Sequence, residues 1–179
     1  ASLAYEAAVA GGIPVIKTLR EALAGNKMNR ISGILNGTCN FILSQMENEG
    51  VSFEKALKDA QKLGFAEAEP DLDISGMDAA QKLALLAGLA FGVQPDVSQI
   101  SITGIEAITD QDISFADEFD SVIRLIAIAG ETSNGLVQCV APMLVERTHA
   151  LAQVKNELNA VAIEASPIGQ LFLQGPGAG

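Results

Sequence analysis

Between Gly64 and Gly88 the chain reads "GFAEAEPDLDISGMDAAQKLALLAG". Five carboxylates, from Glu67, Glu69, Asp71, Asp73 and Asp78, crowd into a short stretch of it. An almost wholly apolar segment follows, and Asp78 and Lys82 are the only charged residues from Met77 to Phe91. A helix that is apolar nearly all round is buried, and an ammonium buried without a partner is costly. Asp78 stands four residues before Lys82, on the same helical face and in the favourable order. Two readings follow. One is an ordinary helical ion pair, with Asp78 also serving the helix N-terminus. The other is a paired lysine in a cleft, able to give or take a proton. The acids are equally two-sided. They form a solvated loop at the positive end of a helix, or a set of converging carboxylates that binds a cationic group such as an ammonium. Glu67 follows the apolar Gly-Phe-Ala and is the acid expected to be held most rigidly.

Other stretches carry weaker chemistry. In "LNGTCN" a strand gives way to a helix at Gly37-Thr38, where free backbone N–H groups suit an anion or a carbonyl oxygen. Cys39 has no basic partner nearby in sequence, so it makes a poor nucleophile. "GPGAG", from Gly175 onward, is either a cradle for a cofactor or an unconstrained end. Cys39 and Cys139 read as two reduced thiols. No metal-ligand spacing is present, and His149 is the only histidine.

These residues need a scaffold. "AYEAAVAGGIPVI" is apolar and bends at Gly11-Gly12. "KTLREALAGN" reads as a short helix stopped at Gly25-Asn26. "KMNRISGILNG" reads as a strand, and Thr38 opens a helix over "TCNFILSQMENEG". Ser52 caps the next helix, whose Phe53, Ala56, Leu57, Ala60 and Leu63 form one apolar stripe. The acid-rich loop leads to a helix from about Gly76 to Phe91, with Ser75 and Asp78 spaced as an acidic relative of the capping box. After Pro95, "FADEFDSVIRLIAIAG" predicts a short helix feeding a strand. "GETSNG" is a turn, "LVQCVAPMLVE" a second strand, and "NAVAIEA" and "GQLFLQG" two more, turning at Ser166-Pro167. Helices gather in the first half and antiparallel strands in the second. That segregation predicts an α+β fold, with helices on one face of a mixed, largely antiparallel sheet.

With 179 residues, 49 % of them hydrophobic, the chain supports a single domain with a substantial core. A formal charge of −11 argues against a surface for nucleic acid or anionic lipid. No run reaches the ~18 apolar residues of a membrane span, and no signal peptide is visible, so a cytoplasmic protein is expected. Both ends read as cut from something larger. Strands as apolar as "VIRLIAIAG" and "LVQCVAPMLV" cannot leave a sheet face wet, which predicts a homodimer.

Along nearly its whole length the chain resembles homoserine dehydrogenase. The resemblance is carried, in order, by "YEAAVAGGIPVIKTLREALAGN", "ILNGTCNFIL", "GFAEAEPDLDISGMDAAQKLALLA", "SFADEFDSVIRLIAIA" and "FLQGPGAG". It implies the catalytic and dimerisation domain of an enzyme that interconverts L-homoserine and L-aspartate 4-semialdehyde with NAD or NADP, on the route to threonine, methionine and isoleucine. By the same resemblance, Glu67 receives the substrate ammonium, Asp73 and Asp78 line the substrate pocket, and Lys82 does acid/base work at the reacting oxygen. Gly37 and Thr38 match the turn beside substrate and nicotinamide, and Gly175 and Gly177 match cofactor contacts. Glu6, with the carbonyls of Val9, Gly11 and Ile13, matches a site for Na⁺ or K⁺. The family's Rossmann domain, with its GxGxxG loop, has no counterpart in these residues, nor has a lysine the family carries upstream of the glutamate matched by Glu6. Without that domain the fragment is expected to be inactive alone. A stand-alone amino-acid-binding or dimerisation module, without redox activity, is the alternative expectation.

Overall fold

A computed structural model describes residues 5–177. The chain opens with α1 (Val15–Lys17), which runs on as a π-helical turn over Thr18–Ala22. Strand β1 (Lys27–Ile34) leads to α2 (Gly37–Glu49), and α3 (Phe53–Leu63), α4 (Asp71–Ile74) and α5 (Met77–Phe91) follow. The second half holds β2 (Ser101–Ile102), α6 (Asp110–Glu118), β3 (Ser121–Thr132), β4 (Gly135–Glu146), β5 (Leu158–Ser166) and β6 (Gly169–Pro176). All six strands form one sheet in the order β2-β4-β3-β1-β5-β6. Only the β2–β4 pairing is parallel, so the sheet is mixed and largely antiparallel, as expected. No helix among the described residues is long and apolar enough to cross a membrane.

The main core lies between the helices and one sheet face. Ile42 and Leu43 of α2, with Leu83 and Leu86 of α5, pack there against Ile31, Leu125 and Ile163. A smaller cluster lies on the opposite face, where Leu151 and Val154 cover Ile34, Ile126 and Ala160. Strands β3 and β4 form a long hairpin, in register from Ser121–Glu146 to Thr132–Gly135, around the turn expected at "GETSNG". Strands β1 and β6 both end at the edge of the sheet where β5 begins, since Ile34 pairs with Ala160 and Pro176 with Leu158. That edge carries the site.

Several local expectations are corrected. The first helix starts at Val15 rather than Lys17, because the Glu6 carboxylate accepts the N–H groups of Ile16 and Lys17 and so caps it there. Helix α2 starts at Gly37, and its cap is Asn36, whose side chain accepts the Cys39 N–H. Ser75 caps nothing. Gly76, at φ +82°, holds the N-cap position of α5, while Asp78 is engaged elsewhere. The acid-rich loop contains the extra turn α4. Helix α6 begins well before "FADEFD", at a capping box formed by Thr109 and Asp112. On α3 the Ser52 cap stands and Ala56 and Ala60 are buried, but Leu63 is 63 % exposed, because the last turn runs past the core.

One ion-pair network ties helices to sheet. Arg124 of β3 is fully buried, and its guanidinium donates to Glu47 Oε2 at 2.8 Å and to the carbonyls of Ala152 and Ile123. The other oxygen of Glu47 accepts from Arg147 at 2.9 Å, and Arg147 also reaches Asp117 of α6. Removing one partner of a buried pair strands the other charge. We expect Glu47→Ala to lower unfolding free energy by roughly 3–5 kcal/mol, measured as a shift in urea midpoint at unchanged slope. A change below about 1 kcal/mol would show that water reaches Arg124 and that the network does not hold the fold together.

Candidate active site

At the end of β1 the chain passes through Leu35 and Asn36 into α2, beside the start of α5. A cavity of about 410 Å³ opens here, between Asn36, Gly37 and Thr38 on one wall and Asp73, Asp78 and Lys82 on another. Glu157, Pro176 and Gly177 close it from the sheet, and Gly64 and Phe65 from the loop after α3. Thr38 donates its hydroxyl hydrogen to the Phe65 carbonyl at 2.6 Å, and the Phe65 ring packs on Phe41 with centroids 4.8 Å apart. The loop is thereby fastened to α2 just before its acids begin.

Asn36 organises the polar wall. It is 4 % exposed, and its amide is fully used. The oxygen accepts the Cys39 N–H at 2.8 Å, capping α2. The NH₂ donates to Asp73 Oδ1 at 2.7 Å and to Asp78 Oδ2 at 2.8 Å. Carboxylates can only accept, so this orientation of the amide is the one that satisfies all three partners. Lys82 donates to the same Asp78 oxygen at 2.7 Å and to the Leu35 carbonyl at 3.1 Å. Its side chain is 21 % exposed and that of Asp78 28 %, so the pair lies at the cavity wall. Two N–H bonds of the ammonium are used and one remains for a ligand atom. Three carboxylates (Asp73, Asp78 and Glu157) face one ammonium in the cavity, an excess of negative charge that suits a cationic group.

The expected residues are only partly brought together. Gly37, Thr38, Asp73, Asp78, Lys82 and Gly177 line one cavity. Glu67 does not. It is exposed on the loop between α3 and α4, whose backbone is held by the Gln61 side chain donating to the Glu67 carbonyl at 3.1 Å. Gly175 pairs with Asn159 inside the sheet, near Ile13. Gly11, at φ +52°, lies against the backbone of Pro176 and Gly177, and the Gly12 N–H donates to the Pro176 carbonyl at 3.1 Å. The Glu6 carboxylate is already shared by two amides, while Val9 and Ile13 are buried. Among the described residues no three His, Cys, Asp or Glu side chains gather as metal ligands. Ala178 and Gly179 of "GPGAG" lie outside the described residues.

Sequence reasoning missed Asn36 and Glu157. The first had a signal, since asparagine before Gly-Thr at a strand-to-helix junction is a favoured N-cap. The second had none, because only the pairing of β5 with β1 and β6 brings it to the cavity.

Cys39 lies behind the wall and donates its thiol hydrogen to the Asp73 carbonyl at 3.1 Å. Burial pushes this thiol well above its usual range, and the charges of Asp73, Asp78 and Glu106 push it further. It is a neutral packing group. A thiol with a raised folded pKa contributes stability below its unfolded value of about 8.5, and loses it as pH climbs toward the folded value. Stability should therefore fall above about pH 8.5 by up to ~1.4 kcal/mol per pH unit. Cys139, raised less by partial burial, adds in the same direction. Denaturant titrations from pH 7 to 10 should show a shallower decline in Cys39→Ala, and equal slopes would contradict the assignment.

Comparison with known proteins gives the family of the chain. The family model described as homoserine dehydrogenase matches residues 14–179. A homoserine dehydrogenase of Synechocystis is 46 % identical over 178 residues, covering 97 % of this chain and 41 % of the relative. The crystal structure of a homoserine dehydrogenase from Thiobacillus denitrificans superposes with a TM-score of 0.96 at 43 % identity, covering 98 % of this chain and 41 % of that one. A hyperthermophilic archaeal homoserine dehydrogenase in complex with NADPH gives a TM-score of 0.81 at 30 % identity, covering 98 % of this chain and 50 % of that one. The chain spans about 40 % of the length of the curated relatives it matches. With the fold and the matched residues in agreement, the chain belongs to the homoserine dehydrogenase family.

Proposed function

We propose that this chain is the substrate-binding and catalytic part of a cytoplasmic enzyme of amino-acid biosynthesis that interconverts L-homoserine and L-aspartate 4-semialdehyde with NAD or NADP. The observation that carries the reading is the Lys82 ammonium, fixed on Asp78 and the Leu35 carbonyl at a cavity rich in carboxylates. The acids Asp73 and Glu67 hold the substrate ammonium, Asp73 from the cavity wall and Glu67 from the loop at its rim. Lys82 faces the hydroxyl or aldehyde oxygen. In homoserine oxidation Lys82 acts as the free amine, taking the hydroxyl proton and becoming the ammonium, and in the reverse direction the ammonium returns that proton to the oxygen. Asp78 keeps the lysine aimed and Asn36 keeps Asp78 in place.

A cofactor fits the opposite wall. A Cβ on Gly37 would stand 2.6 Å from the Glu157 carbonyl oxygen, and one on Gly177 would run into Asn159. Both contacts are with the protein's own atoms, so close packing requires glycine at these positions, and what Gly37 and Gly177 present to the cavity is bare backbone. Gly37, Thr38 and Gly177 would hold the reactive end, with Gly175 supporting the strand behind. The chemistry supplied by the cofactor when bound is hydride acceptance from, or return to, the carbon bearing the substrate oxygen. A monovalent cation, Na⁺ or K⁺, at Glu6 and the carbonyls of Val9, Gly11 and Ile13 belongs to the same reading. One carboxylate is too little charge for a tight divalent site.

The functional unit in this reading is a homodimer. Ile128, Met143, Val145 and Phe172 are half-buried on the sheet face that the helices leave bare, and only one end of it is covered by Leu151 and Val154. A second copy would bury the remainder.

Two measurements test the proposal. In a protein carrying these residues together with a nucleotide-binding domain, Lys82→Ala should reduce kcat at saturating homoserine by roughly 10²–10⁴-fold, the usual size of acid–base catalysis. Glu67→Gln should act mainly on KM, because its partner is remote from the reacting carbon. A Lys82→Ala enzyme as fast as wild type would return the lysine to a structural ion pair. Sedimentation at micromolar concentration should give a dimer, and a clean monomer would remove the second copy.

A further inference from the structure

Asn159 is a fully buried polar residue that nothing described so far employs. It sits near the start of β5, opposite Gly175 of β6, at 0 % exposure. Neither its Oδ1 nor its Nδ2 has a hydrogen-bond partner among the described residues. The other buried asparagines behave differently. Asn36 uses its whole amide, and Asn40 leaves only its Oδ1 without a partner while its NH₂ donates to the carbonyls of Val154, Asn156 and Leu158. A buried carboxamide with both ends unmet bears its full desolvation penalty, and such a group in a native structure calls for an explanation. The next four residues, Ala160 to Ile163, are buried and apolar. A small aliphatic residue would suit this strand better than asparagine.

Its surroundings indicate what the group is for. A Cβ on Gly177 would run into the carboxamide, and one on Gly37 would stand 3.5 Å from Oδ1. Both glycines line the active-site cavity. Asn159 therefore lies beneath the seam between the start of α2 and the glycine-rich end of β6, where main chain can approach and a side chain cannot. A carboxamide presents one donor side and one acceptor side, and a peptide unit presents the complementary pair. Pro176 has no N–H and its carbonyl already accepts the Gly12 N–H, so the complementary groups are the N–H and carbonyl of Gly177, which as glycine is free to turn toward the carboxamide.

We propose that Asn159 is a ligand-linked positioning residue: when the cavity fills, its carboxamide pairs with the main chain of the Gly175–Gly177 segment and fixes that segment over the substrate. The inference rests on the cofactor reading of the cavity given above. Filling the cavity then satisfies two buried polar atoms that have no partner among the described residues, which couples seating of the glycine segment to ligand binding.

The test uses the protein carrying these residues with its nucleotide-binding domain, as wild type, Asn159→Leu and Asn159→Ala. Leucine keeps the branched shape and removes both polar atoms, whereas alanine removes them without needing extra room. Melting temperature is read without ligand. Hydrogen exchange over peptide 170–177 is read with and without NADPH plus homoserine, beside kcat, KM and the NADPH Kd. Wild type should show ligand-induced protection of that peptide. At least one variant should melt at or above the wild-type temperature, because unmet buried groups are gone. Both should lose the protection, with kcat/KM down about 10- to 100-fold from misplacement alone. Wild-type protection and kcat/KM in either variant would overturn the inference, as would melting temperatures that fall in both in step with activity. A wild type that binds NADPH but turns over no homoserine would overturn the functional reading, and its exchange response would still judge Asn159. A wild type that binds neither overturns both.

Discussion

Two aspartates cannot be held side by side in a protein wall without donors between them, and the site is built around meeting that demand. Asp73 and Asp78 are joined by the NH₂ group of Asn36, and the Lys82 ammonium offsets the charge of Asp78 from the next turn of α5. Because the same Asn36 side chain caps α2, the start of that helix and the spacing of the two acids are set by one residue. The end of β1 supplies the Leu35 carbonyl to Lys82, so the strand, the two helices and the acid loop meet at a single hydrogen-bonded cluster. Moving any one of them would leave a charged or polar group facing apolar neighbours, which is costly.

The chain keeps a second cluster of charges for a different purpose. Arg124 is sealed from water and its guanidinium is spent on Glu47 and on the carbonyls of Ile123 and Ala152, while both oxygens of Glu47 are taken by Arg124 and Arg147. Lys82 and Asp78 are similar in type and separation but stand at a cavity wall with one N–H uncommitted. Burial and completeness of pairing, rather than the presence of an ion pair, separate the two roles.

Patterns contained within one element were legible in the sequence. The apolar run behind the acids gave α5, the Ser52 cap gave α3, and the apolar runs on either side of "GETSNG" gave the long hairpin. The Asp78–Lys82 pair was visible for the same reason, since four residues on one helix are always neighbours. Features that depend on distant strands were not. Strand β2 is two residues long and exists only by pairing with β4, and Glu157 and Asn159 reach the site only because β5 lies between β1 and β6. The Ser75 cap was misread because Gly76 supplies a left-handed turn that no capping side chain is needed to stabilise. Rigidity of Glu67, inferred from its apolar neighbours, belongs to its backbone, while its side chain stands in solvent.

The bend at Gly11-Gly12 rests against Pro176 and Gly177, bonded through the Gly12 N–H. Everything between these two points thus begins and finishes at one place in space. A fold with that property can be spliced into a host chain at a single surface loop, both crossings lying side by side, without asking the host to stretch. It also confines mechanical communication with such a host to one narrow neck. That neck includes Pro176 and Gly177, which line the cavity, so a twist of the host would be felt at the cavity wall.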